Sequence, residues 1–165
     1  MNKFMVGVLG IVLAVIVLIC GSIIAYGAEE DEFVRPDLIP YIEEVAAEYC
    51  VSPELIEAMI ETESRGISSA KSGSCIGLMQ VSTRWHRDRA ARLGVDMTTD
   101  EGNIKTGVDF LMELAAEDDD LFYVLARYNG QKNAAPGKSN SYAAEILNRA
   151  NELEVIHGKH KYESK

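Results

Sequence analysis

The sequence predicts a mainly α protein: a single compact helical domain preceded by an N-terminal transmembrane or signal helix. Apolar residues recur at helical spacing in successive segments from Asp37 to Leu153, and no strand-like alternation longer than a few residues interrupts them. Phe4 to Tyr26, by contrast, is almost wholly apolar. With that stretch set aside, the 165-residue chain holds enough residues for one modest core and not for two. There are no internal repeats.

The apolar stretch meets the length of about 20 residues needed to span a bilayer. Lys3 precedes it, and Glu29, Glu30, Asp31 and Glu32 follow. A signal-peptide apolar region is usually about 7–15 residues long, so residues 1–27 are read first as a retained anchor, with the amino terminus in the cytoplasm and the remainder across the membrane. Ala25-Tyr26-Gly27 offers small residues where a signal peptidase reads, which keeps a cleaved, secreted form open. Cys20 follows Ile19 instead of a small residue, which argues against lipidation. Residues 28–36 are expected to be a linker, 37–156 the domain and 157–165 a flexible tail.

Within the domain, Ile42, Val45, Ala46 and Tyr49 share one face of a first helix that begins near Asp37. Ser52 followed by Pro53 is a strong start signal for a second helix, expected to run to about Ser64 and to stop before Gly66. A Ser- and Gly-rich loop from Gly66 to Ser74 leads into Ile76-Gly77-Leu78-Met79-Gln80. A third helix is expected over Thr83 to Leu93, with Gly94 as its C-cap. A fourth begins near Asp100 and turns Ile104, Val108, Leu111 and Ala115 inward. A fifth holds Leu121, Val124, Leu125 and Tyr128, and the last covers Ser141 to Leu153, with Tyr142, Ile146 and Ala150 aligned.

The net charge of −10 argues against a nucleic-acid partner, because phosphate binding requires clustered Lys and Arg. Arg84, Arg87, Arg89 and Arg92 form a local basic cluster, read as a solvated helix face. Cys50 and Cys75 lie outside the apolar segment, and an even count in an exported domain suggests a disulfide; two buried free thiols are the alternative. His157-Gly158-Lys159-His160 invites a metal reading, but no cysteine or carboxylate cluster stands at ligand spacing, so no metal or other cofactor is expected.

The second helix carries the chemistry. On a helical wheel Leu55, Ile56, Met59 and Ile60 occupy one arc, with Glu54, Glu57 and Glu61 opposite. Glu63 falls within the apolar arc. An ionised carboxylate there is costly without a partner, and the usual outcome is a raised pKa that keeps the group protonated. Such an acid can give a proton to the leaving oxygen of a glycosidic bond. An ion pair with an unseen Arg is the competing explanation.

The surrounding motifs separate the two. Glu63-Ser64, a Ser- and Gly-rich loop, Gly77-Leu78-Met79-Gln80, Asn103-Ile104 with Gly107, Ala126-Arg127-Tyr128-Asn129-Gly130, and Tyr142 with Ile146-Leu147 resemble the soluble lytic transglycosylase family of lysozyme-like enzymes. The resemblance covers roughly Ile39 to Leu147, and its separated motifs stand in the family's order. It implies an α+β lysozyme-like fold with a glycan-binding cleft. It also implies Glu63 as catalytic acid and base, and Ser72, Ser74, Leu78, Met79, Gln80, Tyr128, Asn129 and Tyr142 as substrate-binding residues, with Tyr128 approaching the glutamate. The chain departs from the family's pattern in a slightly shorter loop between Glu63 and Gln80, in Cys75 and Ser74 where Ala and Gly are usual, and in Gly130-Gln131-Lys132, which lacks an intervening small residue.

The implied activity is cleavage of the β-1,4 bond between N-acetylmuramic acid and N-acetylglucosamine in peptidoglycan, leaving 1,6-anhydromuramyl ends. Paired-carboxylate glycosidases need a second acid about 5–9.5 Å away. The nearest candidates, Asp88 and Asp96, look solvated, which favours a single-acid route. Goose-type lysozyme-like hydrolysis and a catalytically inactive wall-binding module are the alternatives. A domain held at the membrane would open the wall locally, as a secretion or conjugation apparatus requires.

Overall fold

The structure, a computed structural model, describes residues 33–131, 134–138 and 140–163, with side chains as far as Gly158. The expected anchor over residues 1–27 and the first part of the linker lie outside the described residues. Among the described residues no helix is long and apolar enough to cross a membrane. The end of the expected linker packs as part of the domain: Val34 is buried, and a short 3-10 turn at Pro36–Leu38 leads into the first helix.

Helix α1 (Ile39–Tyr49) buries Ile42, Val45 and Ala46 and ends where Cys50 turns left-handed at φ 55°. Helix α2 (Pro53–Ser64) starts as its sequence signals: the Ser52 side chain accepts the Leu55 N–H at 3.3 Å, Pro53 occupies the first turn, and Glu54 complements the helix dipole. Left-handed Arg65, followed by Gly66, ends it. Then comes a small antiparallel ribbon of three two-residue strands, β1 (Lys71–Ser72), β2 (Cys75–Ile76) and β3 (Val81–Ser82), in the order β1-β2-β3. Ser72 pairs with Cys75, and Cys75 in turn with Ser82.

Helix α3 (Arg87–Leu93) is shorter than Thr83 to Leu93, and the ribbon explains why. The Thr83 N–H and hydroxyl both donate to the Ser74 carbonyl, at 2.8 and 3.0 Å, which holds Thr83 against β2 instead of releasing it into a helix. The Ser82 carbonyl then accepts from the Trp85 and His86 N–H groups in a tight turn. Gly94 caps the helix at φ 70° as its position suggests.

Helix α4 (Asp100–Ala115) is capped by Thr99 and buries Ile104, Val108, Leu111 and Leu114. Helix α5 (Leu121–Tyr128) is capped by Asp120, which accepts the Phe122 and Tyr123 N–H groups. Helix α6 (Ser141–Glu163) runs well past Leu153, so the segment expected to be a flexible tail begins as helix. The buried faces of these helices and of the Leu78–Val81 segment meet in one hydrophobic core.

Helix α2 lies at the centre, and its acidic arc is not a solvent face. Glu61 pairs with Arg149 of α6 at 2.6 Å, and Glu54 meets the His157 imidazole at 3.1 Å. Glu57 is only 6% exposed, with the other His157 nitrogen 3.9 Å away. His157 is thereby tied to the domain and not left in a frayed terminus. Among the described residues no group of His, Cys, Asp and Glu is arranged to hold a metal.

The expected Cys50–Cys75 disulfide is absent, and both thiols are free. Their positions account for it. Cys50 precedes the N-terminus of α2, while Cys75 lies on the ribbon that flanks the cleft at the helix's other end. A helix of 12 residues spans about 18 Å, whereas a disulfide needs Cα atoms within about 7 Å.

Candidate active site

A cleft of about 570 Å³ opens between the ribbon, α4 and the end of α5, and Glu63 lies within it. Glu63 is in the last turn of α2, half-buried. Burial pushes its carboxyl above the ordinary glutamate value, and a hydrogen bond from Tyr142 pulls the other way. The Tyr142 hydroxyl donates directly to Glu63 Oε1. The negative end of the α2 dipole adds to the preference for the protonated form. Among the described residues lining this cleft, Glu63 is the sole carboxylate, and Asp96 is spent on Thr98 at 2.7 Å.

The Gly77-Leu78-Met79-Gln80 segment shapes the cleft from below. A Cβ on Gly77 would stand 2.5 Å from the Asn103 side chain, and its φ of +76° is left-handed, so both space and backbone require glycine. Leu78 and Met79 are 1% and 0% exposed, and neither side chain lines the cleft. The expectation of direct substrate contact is therefore corrected: both are core anchors, driven inward by the cost of leaving large apolar groups in water. Gln80 returns the chain to the cleft wall at φ 46°, with its amide donating to the Gly77 carbonyl at 2.9 Å.

Buried Asn103 of α4 clamps this turn. It accepts the Met79 N–H at 2.8 Å and donates to the Ile76 and Met97 carbonyls at 2.9 and 3.1 Å. Gly107, one turn along α4, has no room for a side chain: a Cβ would stand 2.7 Å from the Met79 sulfur and 3.0 Å from the Tyr128 hydroxyl oxygen.

The cleft gathers Ser72, Ser74, Gln80, Tyr128 and Asn129 around Glu63. The two tyrosines hold different hydrogen bonds near the glutamate. Tyr128 donates to the Met79 carbonyl at 3.0 Å, fixing the turn, and Tyr142 is the one bonded to the glutamate. Both phenols are pushed up, first by burial and then by the Glu63 charge.

Sequence reasoning missed the far wall. Trp85, His86, Phe110, Arg127 and Gly130 line it, and on the ribbon side Ser82 and Cys75, the latter assigned beforehand to a disulfide, join the lining. His86, Phe110 and Tyr128 form an aromatic row, with centroids 4.3 and 5.2 Å apart. Burial and then the Arg89 charge push the His86 pKa down, and Arg89 Nε donates to its Nδ1 at 3.3 Å, so the ring faces the cleft neutral. Arg89 is itself held by Asp109 and Glu113. The run Ser82-Thr83-Arg84-Trp85-His86 carried the signal, an aromatic pair where an exposed helix start was expected. A second hollow shares Phe110, Arg127 and Gly130 with the cleft, so the groove continues toward Tyr123.

Fold and site together define a small helical domain with one half-buried carboxylic acid in an open, mostly uncharged groove. Residues 40–151 match the profile of the family described as "Transglycosylase SLT domain", and the chain belongs to that family. Among solved structures it is similar to an inactive mutant of the lytic transglycosylase Slt from Pseudomonas aeruginosa, with a TM-score of 0.60 and 17% identity over 72% of this chain and 24% of that one. At that identity the likeness is one of fold. No curated protein sequence matches the chain.

Proposed function

We propose that the protein is a peptidoglycan lytic transglycosylase with Glu63 as its acid and base. The observation that carries this is the half-buried Glu63 carboxyl, raised by burial, bonded to Tyr142 and unaccompanied by a second acid among the described lining residues. Protonated Glu63 gives its proton to the glycosidic oxygen as the bond to C1 of N-acetylmuramic acid breaks. The substrate's own N-acetyl oxygen shields the positive C1. The Glu63 carboxylate then takes the proton of the sugar's 6-hydroxyl, whose oxygen closes on C1 to give the 1,6-anhydro end. The carboxyl is protonated again, and no water is consumed.

The opposed influences on Glu63 suit this cycle. Burial favours the acid needed first, and the Tyr142 hydroxyl favours the carboxylate needed second. With residues 1–27 as an anchor, the domain would work outside the cytoplasm on wall close to the membrane, in keeping with local opening for a secretion or conjugation machine. Digestion of purified peptidoglycan by the full chain tests the assignment. Soluble anhydromuropeptides are expected from the wild type and none from Glu63→Gln; undiminished cleavage by the variant overturns it.

A further inference from the structure

Among the described residues, the chain's single tryptophan is the most exposed large apolar side chain. Trp85 is 72% exposed, yet it lines the same cleft as Glu63. Leaving an indole in water forgoes the gain of burying it, so its position needs a reason. Its backbone is fixed: the N–H donates to the Ser82 carbonyl, and the preceding Thr83 is doubly bonded to Ser74. The ring is thus a platform on a rigid turn and not a side chain on a mobile loop. The Arg84 guanidinium lies 4.9 Å over it, itself exposed and in no ion pair among the described residues.

An indole face packs against the C–H face of a pyranose ring, and an unpaired guanidinium beside it is suited to a carboxylate. We propose that Arg84 and Trp85 form an outer sugar subsite that prefers a muramyl residue: the indole stacks on the sugar, and the guanidinium binds a carboxylate borne by that residue's lactyl group or peptide stem. This rests on the function proposed above only in naming the glycan. Arg84 adjoins the cleft beside Trp85, and the residues of the ribbon and its turn that line the cleft, Ser72, Ser74, Cys75, Gln80, Val81 and Ser82, are uncharged. In a protein of net charge −10, a free cation at this place favours acidic wall strands over neutral glycans.

Because Trp85 is the only tryptophan, its emission reports the subsite directly. The full chain carrying Glu63→Gln is titrated with a neutral N-acetylglucosamine hexamer, with stem-bearing peptidoglycan strands and with strands stripped of stems by an amidase, binding being measured in parallel by calorimetry. All three are expected to shift Trp85 emission on binding. Arg84→Ala is expected to weaken binding of the acidic strands about tenfold and that of the hexamer by less than about threefold, and the stripped strands tell whether lactyl or stem carboxylate is read. In the wild-type background, Trp85→Leu is expected to raise KM about tenfold with kcat within about twofold. Binding without any change in emission overturns the subsite, as does an equal loss for hexamer and strands in Arg84→Ala. Emission changes in Glu63→Gln together with no cutting by the wild-type chain would leave the subsite standing and sink the catalytic assignment; cutting by the wild type with no emission change on binding would do the reverse.

Discussion

Replacing Tyr142 by Phe removes one hydroxyl and leaves the ring that packs against the core. That hydroxyl donates to Glu63 Oε1, and its contribution lowers the carboxyl's pKa against the raising effect of burial. Without it the carboxyl stays protonated to higher pH. Because the proposed first step uses the protonated form, the alkaline limb of the pH–rate profile is expected to move to higher pH. The carboxylate formed as the glycosidic bond breaks also loses its donor. A hydrogen bond to an ionised group contributes about 1.5–3 kcal/mol, so kcat at the optimum is expected to fall roughly 10- to 150-fold. Release of soluble muropeptides, followed between about pH 4 and 9 for both proteins, gives the profiles. Thermal melting confirms that the fold is intact. A limb that moves to lower pH, or a profile that superimposes on the wild type, would refute the coupling of Tyr142 to Glu63.

Further outcomes follow from the same contacts. The Glu63 carboxyl binds protons in the folded state above its reference value of 4.5, so its burial costs nothing below that pH and destabilises as pH rises through the folded value; Glu63→Gln is expected to raise Tm near neutral pH and not below pH 4.5. Asn103→Ala leaves the buried Met79 N–H without its acceptor, which should cost about 1–3 kcal/mol in urea unfolding and lower activity as the Gly77–Gln80 turn loosens. Cys50 and Cys75 are both expected to be alkylated without reductant, as mapped by mass spectrometry after mild unfolding; a protected pair would show that they are joined.

Where local chemistry decides, the fold was legible in the residues. Ser52-Pro53 starts α2, Gly94 stops α3, and the periodic faces of α1, α4 and α6 are the ones buried. What escaped was tertiary. Strands of two residues carry no alternation to read, so the ribbon went unseen, and with it the hydrogen bonds from Thr83 to Ser74 that delay α3. Glu54, Glu57 and Glu61 read as a polar face, and only the packing of α6 shows that Arg149 and His157 cover it. The inward placement of Glu63 was legible because it falls within the apolar arc of α2. Tyr142 and Tyr128 were not separable, because which phenol reaches the carboxyl depends on how α6 crosses α2. Leu78 and Met79 look alike as core and as cleft lining until their burial is known.

In the proposed reaction Glu63 alone carries the proton through both steps, and water takes no part in breaking the strand. Digesting peptidoglycan with the full chain in water enriched in oxygen-18 tests it directly. Anhydromuramyl ends free of the heavy isotope are expected; muramyl reducing ends carrying one heavy oxygen would mean that water attacks C1 and that the protein is a hydrolase.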